Sequence, residues 1–214
     1  MDSRWIGMGV SCLIIMIWLF VCGLPTELST VSFVALAAMI QIAAGYRLGT
    51  YVNRLRQMAY HDSLTGVLVN RRFLDKLIRE IKLAKIQQYP VTLLFIDLDN
   101  FKKFNDCHGH MEGDRLLCQF AAILQASVRS QDTVGRWGGE EFVVLLKHAD
   151  TQQALAIGER IQNQVRQSLS GVTASIGVAS YPHHAATAEE LTHKADTLMY
   201  EAKKQKDCMI VATH

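Results

Sequence analysis

Gly138-Gly139-Glu140-Glu141-Phe142, between Arg136-Trp137 and the apolar run Val143-Val144-Leu145-Leu146, decides how this chain reads. Two glycines permit positive φ and close backbone approach, and the aliphatic and β-branched residues after them read as a strand buried in a sheet. The pattern predicts a tight hairpin over Thr133–Leu146 with two carboxylates at its tip. A turn that needs only flexibility has no use for paired acids. Upstream, Val91-Thr92-Leu93-Leu94-Phe95-Ile96 ends in Asp97-Leu98-Asp99, which reads as a central strand, Val91–Asp97, delivering carboxylates to its C-terminal edge. Asp97 and Glu140 on neighbouring strands would form a hard oxygen site suited to Mg²⁺, an ion that takes few protein carboxylates together with phosphate oxygens.

Around these strands helical and extended patterns alternate. A helix is predicted over Arg71–Gln88, then the first strand, a polar turn segment Asn100–Asp106, and a helix over Gly113–Val128 leading into the hairpin. Helix Gln152–Leu169, strand Val172–Ala179, helix Ala188–Lys206 and strand Cys208–Ala212 follow. That order predicts an α+β architecture, helices packed on an antiparallel or mixed sheet, with about 150 residues to bury one core.

The front of the chain is different. Hydrophobic residues make up 50% of the sequence and the mean hydropathy is +0.11, too apolar for an ordinary soluble domain. Trp5 to Leu24 is twenty residues without a charge and Leu28 to Tyr46 nineteen more, with Pro25-Thr26-Glu27 between them. Each run is long enough to cross a hydrocarbon core of about 30 Å as a helix, so residues 1–46 read as a transmembrane hairpin with spans at 5–24 and 28–46. Arg4 precedes the first run and Arg47, Arg54 and Arg56 follow the second, whereas the loop holds only Glu27. The positive-inside rule then places both ends and everything downstream in the cytoplasm, on a lipid bilayer. Between the runs and Asp62, residues 47–61 carry Leu48, Tyr51, Val52, Leu55, Met58 and Ala59 at 3-and-4 spacing, the pattern of an amphipathic helical linker that would serve as a dimer stalk.

Five cysteines without metal-ligand spacing, two of them inside the first apolar run, give no disulfide framework. A net charge of +2 gives no nucleic-acid surface.

Eight collinear blocks resemble the GGDEF-domain diguanylate cyclases, the signature being written here as GGEEF. They are Asp62-Ser63-Leu64-Thr65-Gly66 with Asn70-Arg71-Arg72; Asp97-Leu98-Asp99-Asn100-Phe101-Lys102; Asn105-Asp106; Gly109-His110; Gly113-Asp114; Arg136 to Phe142; Thr173-Ala174-Ser175-Ile176-Gly177-Val178; and Ala195-Asp196 with Tyr200-Glu201-Ala202-Lys203. The resemblance implies a palm-like, ferredoxin-related fold over residues 62–214 and an enzyme that joins two GTP molecules into cyclic di-GMP, expelling two pyrophosphates, as a homodimer in the bacterial inner membrane. It implies Mg²⁺, or Mn²⁺ in its place, held by Asp97, Glu140 and the main-chain carbonyl of Leu98. Glu140 would also serve or orient the proton acceptor, Glu141 would support it, and Lys102 would reach the triphosphate, cradled by the main chain of Asn100 and Phe101. Asn105 and Asp114 would read guanine, with His110 nearby, and Lys203 matches a phosphate-binding position. Arg129 and Asp132, with Arg160, match a product-inhibition site, where guanidinium groups grip phosphate and guanine edges.

Two departures from the pattern stand out. Val69 reads as an insertion before Asn70, and Lys206-Asp207-Cys208 stands where the family has Gly-Arg-Asn. The second puts an acid where an arginine would touch phosphate, which leaves Lys204 or Lys206 to substitute. It also leaves open a receptor that binds cyclic di-GMP with weak or no turnover.

Overall fold

The structure, a computed structural model, describes residues 9, 12–14, 16–17, 28–58, 60–169 and 171–212, with residues 28–34 and 53–58 described by their backbone alone. The chain divides into two units, Met1–Ala59 and Tyr60–His214. In the first, helix α1 (Leu28–Met58) runs unbroken for 31 residues, through Arg47 and into the linker. Leu36, Met39, Ile40, Leu48 and Tyr51 are exposed on it. The first apolar run, residues 5–24, lies outside the described residues apart from the six named. Among the described residues no helix is long and apolar enough to cross a membrane.

The second unit is built from β1 (Leu68–Val69), α2 (Asn70–Gln87), β2 (Val91–Asp99), α3 (Phe101–His108), α4 (His110–Ala126), β3 (Thr133–Arg136), β4 (Glu141–Lys147), α5 (Thr151–Ser168), β5 (Thr173–Tyr181), α6 (Ala188–Gln205) and β6 (Met209–Val211). The strands form one mixed sheet in the order β1-β3-β4-β2-β5-β6. The β1–β3 and β5–β6 pairs are parallel and the rest antiparallel. This is the predicted α+β arrangement, with one correction that bears on the site. The segment Asn100–Asp106, read as a polar turn, is helical from Phe101 as part of α3. Phe101 is buried and Phe104 packs against the same core, one helical turn apart, while Lys102, Lys103 and Asp106 face out. Two apolar residues suffice for so short a helix, too few to stand out among its polar neighbours.

Every residue of β2 is buried because helices cover both faces of the sheet. Leu94, Ile96 and Leu98 pack with Leu116, Phe120 and Leu124 of α4 and Ile161 and Val165 of α5. Val91, Leu93 and Phe95, on the opposite face, pack with Phe73 and Leu77 of α2 and Leu191 and Met199 of α6. Each such side chain contributes about 1.5–3 kcal/mol by leaving water. Helix α5 starts at a capping box in which Asp150 accepts from Gln153 N and Gln153 reaches back to Asp150 N. Helix α6 starts at Thr187, whose hydroxyl accepts from Glu190 N, and it ends in Lys203 and Lys204 beside its own free carbonyls.

Helix α6 lies directly on β5 at Gly177, where a Cβ would run into the main chain at Ala195 and Met199. A Gly177→Ala substitution should therefore lift α6 from the sheet and cost about 1–3 kcal/mol, read as a lower urea midpoint. A midpoint equal to wild type would show that the helix can shift without penalty.

Candidate active site

The β2–β4 register sets Asp97 opposite Glu141, and Leu98 N donates to Glu140 O at 3.4 Å. The two acid-bearing segments predicted to be neighbours are thus held side by side by main-chain bonds. Asp97 is buried and Glu140 half-buried. Lys203 reaches in from α6, its ammonium 2.7 Å from Asp97 Oδ1 and 3.7 Å from Glu140 Oε1. It approaches Asp97 off the hydrogen-bonding direction, so this buried oxygen has a charge contact but no well-aligned donor. Burial pushes the Asp97 carboxyl from its ordinary 3.8 up to about 6; Lys203 pulls it back in part, and Glu140 and Glu141 push it further. Lys203 is held above its ordinary value, because its attraction to Asp97, Glu140 and Asp99 outweighs the burial that would lower it. Burial also raises Glu141, and Asp196 of α6 adds to that rise. Asp99 has a different role. It is buried and accepts from Thr173 Oγ1 at 2.7 Å, Ser175 Oγ at 2.8 Å and Asp207 N at 2.8 Å, a closed set that ties three segments together.

The turn carrying Glu140 is held by Arg136. Its guanidinium donates to Gly138 O at 3.1 Å and to Gly139 O at 2.6 and 3.1 Å, and meets Asp62 Oδ1 at 2.9 Å. The same Asp62 oxygen accepts from Thr65 N at 2.9 Å and Thr65 Oγ1 at 2.7 Å. Burial alone would raise the Asp62 carboxyl, but the Thr65 and Arg136 hydrogen bonds outweigh it and hold the group below its ordinary value. Neither Gly138 nor Gly139 has a left-handed φ. A Cβ on Gly138 would meet only the carboxylate end of Glu141, so the Glu141 side chain lies close over this glycine. Only Glu140 lies in the turn; Glu141 is the first residue of β4, which corrects the expectation of two acids at the tip.

On the other side of the edge, Asn100 adopts φ 61° and opens α3, with Lys102 exposed in the first turn. The Phe101 side chain is buried, so only its main chain can meet a ligand. Helices α3 and α4 meet at Gly109, whose φ of 85° suits glycine. There His110 and Asp114 are exposed. The buried Asn105 Oδ1 has no partner and faces Gly113, where a Cβ would overlap it. The two groups expected to read guanine are therefore presented by adjoining helices, with the Asn105 side chain lying over Gly113.

Residues 59–208 match the family described as diguanylate cyclase, GGDEF domain. The chain belongs to this family. It is 41% identical over 158 residues to the diguanylate cyclase DgcM of Escherichia coli, covering 70% of this chain and 37% of DgcM. To the bifunctional diguanylate cyclase/cyclic di-GMP phosphodiesterase MucR of Pseudomonas aeruginosa it is 40% identical over 158 residues, 71% of this chain and 23% of MucR. The chain therefore spans well under half of either curated relative. The solved GGDEF domain of TpbB from Pseudomonas aeruginosa superposes with a TM-score of 0.68 at 37% identity, over 72% of this chain and 94% of that one.

Within this GGDEF domain the expected inhibitory residues are only partly brought together. Arg129 and Arg160 line one cleft of about 480 Å³ with Gln153 and Ile157, and Arg160 donates to Ser127 O at 2.5 Å. Asp132 does not line it. Its carboxylate accepts from Arg129 N at 2.9 Å and Lys147 N at 3.1 Å, and it lines a second cleft together with Arg129. The inserted Val69 sits in β1 opposite Arg136, and the Asn70 amide still reaches Trp137 O at 3.3 Å. Asp207 turns its carboxylate to Arg166 at 2.6 Å. Sequence reasoning quoted Asp62, Arg136 and Asp196 as motif members but gave them no task. For Asp62 and Arg136 the available signal was only an acid and an arginine in two motif blocks, one near the start of the domain and one in the hairpin. Nothing in the sequence showed that they meet.

Folded Asp97 holds its proton more tightly than the unfolded chain does, so wild-type stability falls as pH rises from about 4 to about 6. Asp97→Asn lacks this loss. It should unfold at higher urea than wild type at pH 7.5, by at most about 3 kcal/mol, with the difference closing below about pH 4. A difference that stays constant with pH would show that folding does not shift the Asp97 carboxyl.

Proposed function

We propose that this chain is a diguanylate cyclase that condenses two GTP into cyclic di-GMP and releases two pyrophosphates. The observation that carries the reading is the convergence of Asp97, Glu140 and Lys203 at one sheet edge, next to the head of α3. In the reaction each 3′-hydroxyl attacks the α-phosphorus of the other nucleotide, so the site must gather phosphate charge and take up a proton.

The residues present fit a divalent cation. Asp97 has a buried oxygen without an aligned donor, Glu140 stands beside it, and Leu98 follows on the same strand. Among the described residues no three His, Cys, Asp or Glu side chains gather as a metal set, which suits an ion that draws most of its oxygens from phosphate and water. Mg²⁺ or Mn²⁺ held by Asp97, Glu140 and the Leu98 carbonyl would stabilise negative charge on the attacking and leaving oxygens. Glu140, in a turn fixed by Arg136, takes or orients the proton of the hydroxyl, with Glu141 as its support. Lys102 binds the triphosphate, and Lys203 joins it once the carboxylate pair has another counter-charge. Asn105 and Asp114 read the base, with His110 alongside.

One domain presents half of a reaction centre that must hold two nucleotides, so the active species is a homodimer. The apolar runs 5–24 and 28–46 anchor it in the bacterial inner membrane with the GGDEF domain in the cytoplasm. Charge-free sequence, flanking arginines and the exposed Leu36, Met39 and Ile40 of α1 support this reading. Arg129 and Arg160 form the product-inhibition site, supported by their shared cleft.

GTP turnover with Mg²⁺ by the purified full chain in detergent, resolved by chromatography, should give cyclic di-GMP. Glu140→Ala should lower the rate by at least about a hundredfold, and Arg129→Ala should keep the rate but lose inhibition by added product. Cyclic di-GMP binding without turnover at any protein concentration would make the chain a receptor instead. Anchoring is checked separately: the chain should stay with bacterial membranes through alkaline carbonate washing, and its release into the wash would sink the anchor.

A further inference from the structure

Helix α2 has a face that neither the sheet nor the active site uses. Phe73, Leu77, Ile81 and Ala84 bury its inner side. Arg79, Lys82, Leu83 and Ile86 stand on the outer side at i, i+3, i+4 and i+7, and all four are exposed. Ile86, 77% exposed, is the most exposed large apolar side chain among the described residues, and Leu83, one turn before it, is 47% exposed. Two aliphatic side chains are too little to hold a protein partner by apolar burial, so charge must supply most of any contact made here.

The charge is there. Arg71, Arg72, Lys76, Arg79, Lys82 and Lys85 lie on α2 against Asp75 and Glu80. Both acids are engaged. Glu80 is buried, accepting from Tyr89 Oη at 2.8 Å and meeting Lys147 at 2.5 Å, and Asp75 lies 3.8 Å from Arg72. The positive surplus on this one helix exceeds the net +2 of the whole chain. Helix α6, by contrast, sets Glu189, Glu190 and Glu201 among Lys194, Lys203 and Lys204.

A face of one sign repels its own copy across a two-fold axis, which disfavours a second α2 as the occupant. A surface of negative charge with an apolar layer just beneath it fits better, because the cations can meet lipid phosphates while the two aliphatic tips reach the edge of the acyl chains. We propose that α2 docks the GGDEF domain on an anionic bilayer surface through Arg79, Lys82 and Lys85, with Leu83 and Ile86 at the headgroup boundary. Only the segment between Met58 and Asn70 joins α2 to α1, the helix that the anchoring reading places at the membrane. The inference rests on that reading and makes the domain's position depend on the acidic lipid beneath it.

In the test the full chain is placed in lipid nanodiscs, one set containing phosphatidylglycerol and the other phosphatidylcholine alone. Exposed amines are acylated sparsely and quantified by mass spectrometry. Acylation of Lys82 and Lys85 should be at least about threefold lower in the anionic discs, while the exposed Lys194 of α6 reacts equally in both. Salt at about 0.5 M should remove the difference by screening. Leu83→Asp with Ile86→Asp, at exposed positions outside the core, should remove it too. Equal acylation of the wild type in the two discs would overturn the proposal. So would protection of the same size in both, the mark of a second copy, or protection kept by the double variant. Should the chain fail to enter the discs, the anchoring reading fails on its own, and flotation with phosphatidylglycerol vesicles decides the rest. Flotation of the wild type but not of the double variant would support the docking face, and flotation of both or of neither would end it.

Discussion

Acidic side chains crowd one edge of the sheet because the sheet leaves them no alternative. Strand β2 is covered on both faces, so Asp97 at its end is buried, and the β2–β4 register fixes Glu140 and Glu141 beside it. A buried Asp97 with Glu140 and Glu141 pushing its carboxyl up further calls for a cation beside it. The chain provides one through α6, whose last turn carries Lys203 to Asp97 and Glu140. For that reason the packing of α6 on β5 matters to chemistry as well as stability. The approach at Gly177 sets how close the helix comes, and the helix sets where the ammonium lies.

A second set of contacts keeps the Glu140 turn from drifting. Arg136 spends its guanidinium on two carbonyls of that turn and on Asp62, at the beginning of the domain. Asp62 in turn is fixed by Thr65, and Asn70 reaches the carbonyl of Trp137. Two blocks separated by more than seventy residues in the sequence thus converge on one turn. Their shared effect is geometric, fixing where the Glu140 turn stands relative to the end of β2.

Much of this fold was legible in the sequence, for a physical reason. Buried strands such as Val91–Ile96 and Val143–Leu146 are nearly continuous apolar runs, and the helices of 16 residues or more carry enough periodic apolar positions to show their face. Helix α3 was missed because two phenylalanines among eight residues do not make a period. The glycines of the hairpin were read as needed for their backbone freedom, whereas neither takes a left-handed φ, and Gly138 instead lies under the Glu141 carboxylate, a contact that depends on where that side chain folds. Arg129 and Asp132 do meet, but Asp132 does not share the cleft of Arg129 and Arg160, for a similar reason. Spacing shows that two residues share a turn, but the main-chain donors of Arg129 and Lys147 decide where the carboxylate points.

Asp207 shows how a departure from a motif can be accommodated by charge alone. An acid at this corner weighs on the charge of its surroundings only if that charge is left unpaired. Here Arg166 of α5 takes that charge, and the Asp207 amide closes the hydrogen-bond set of Asp99. The corner remains attached to the sheet, and the residue before it, not the residue itself, points toward the head of α3. A one-position comparison records the loss of an arginine. The three-dimensional arrangement shows an ion pair and a lysine in its place, and the electrostatic balance of that edge is set by all three together.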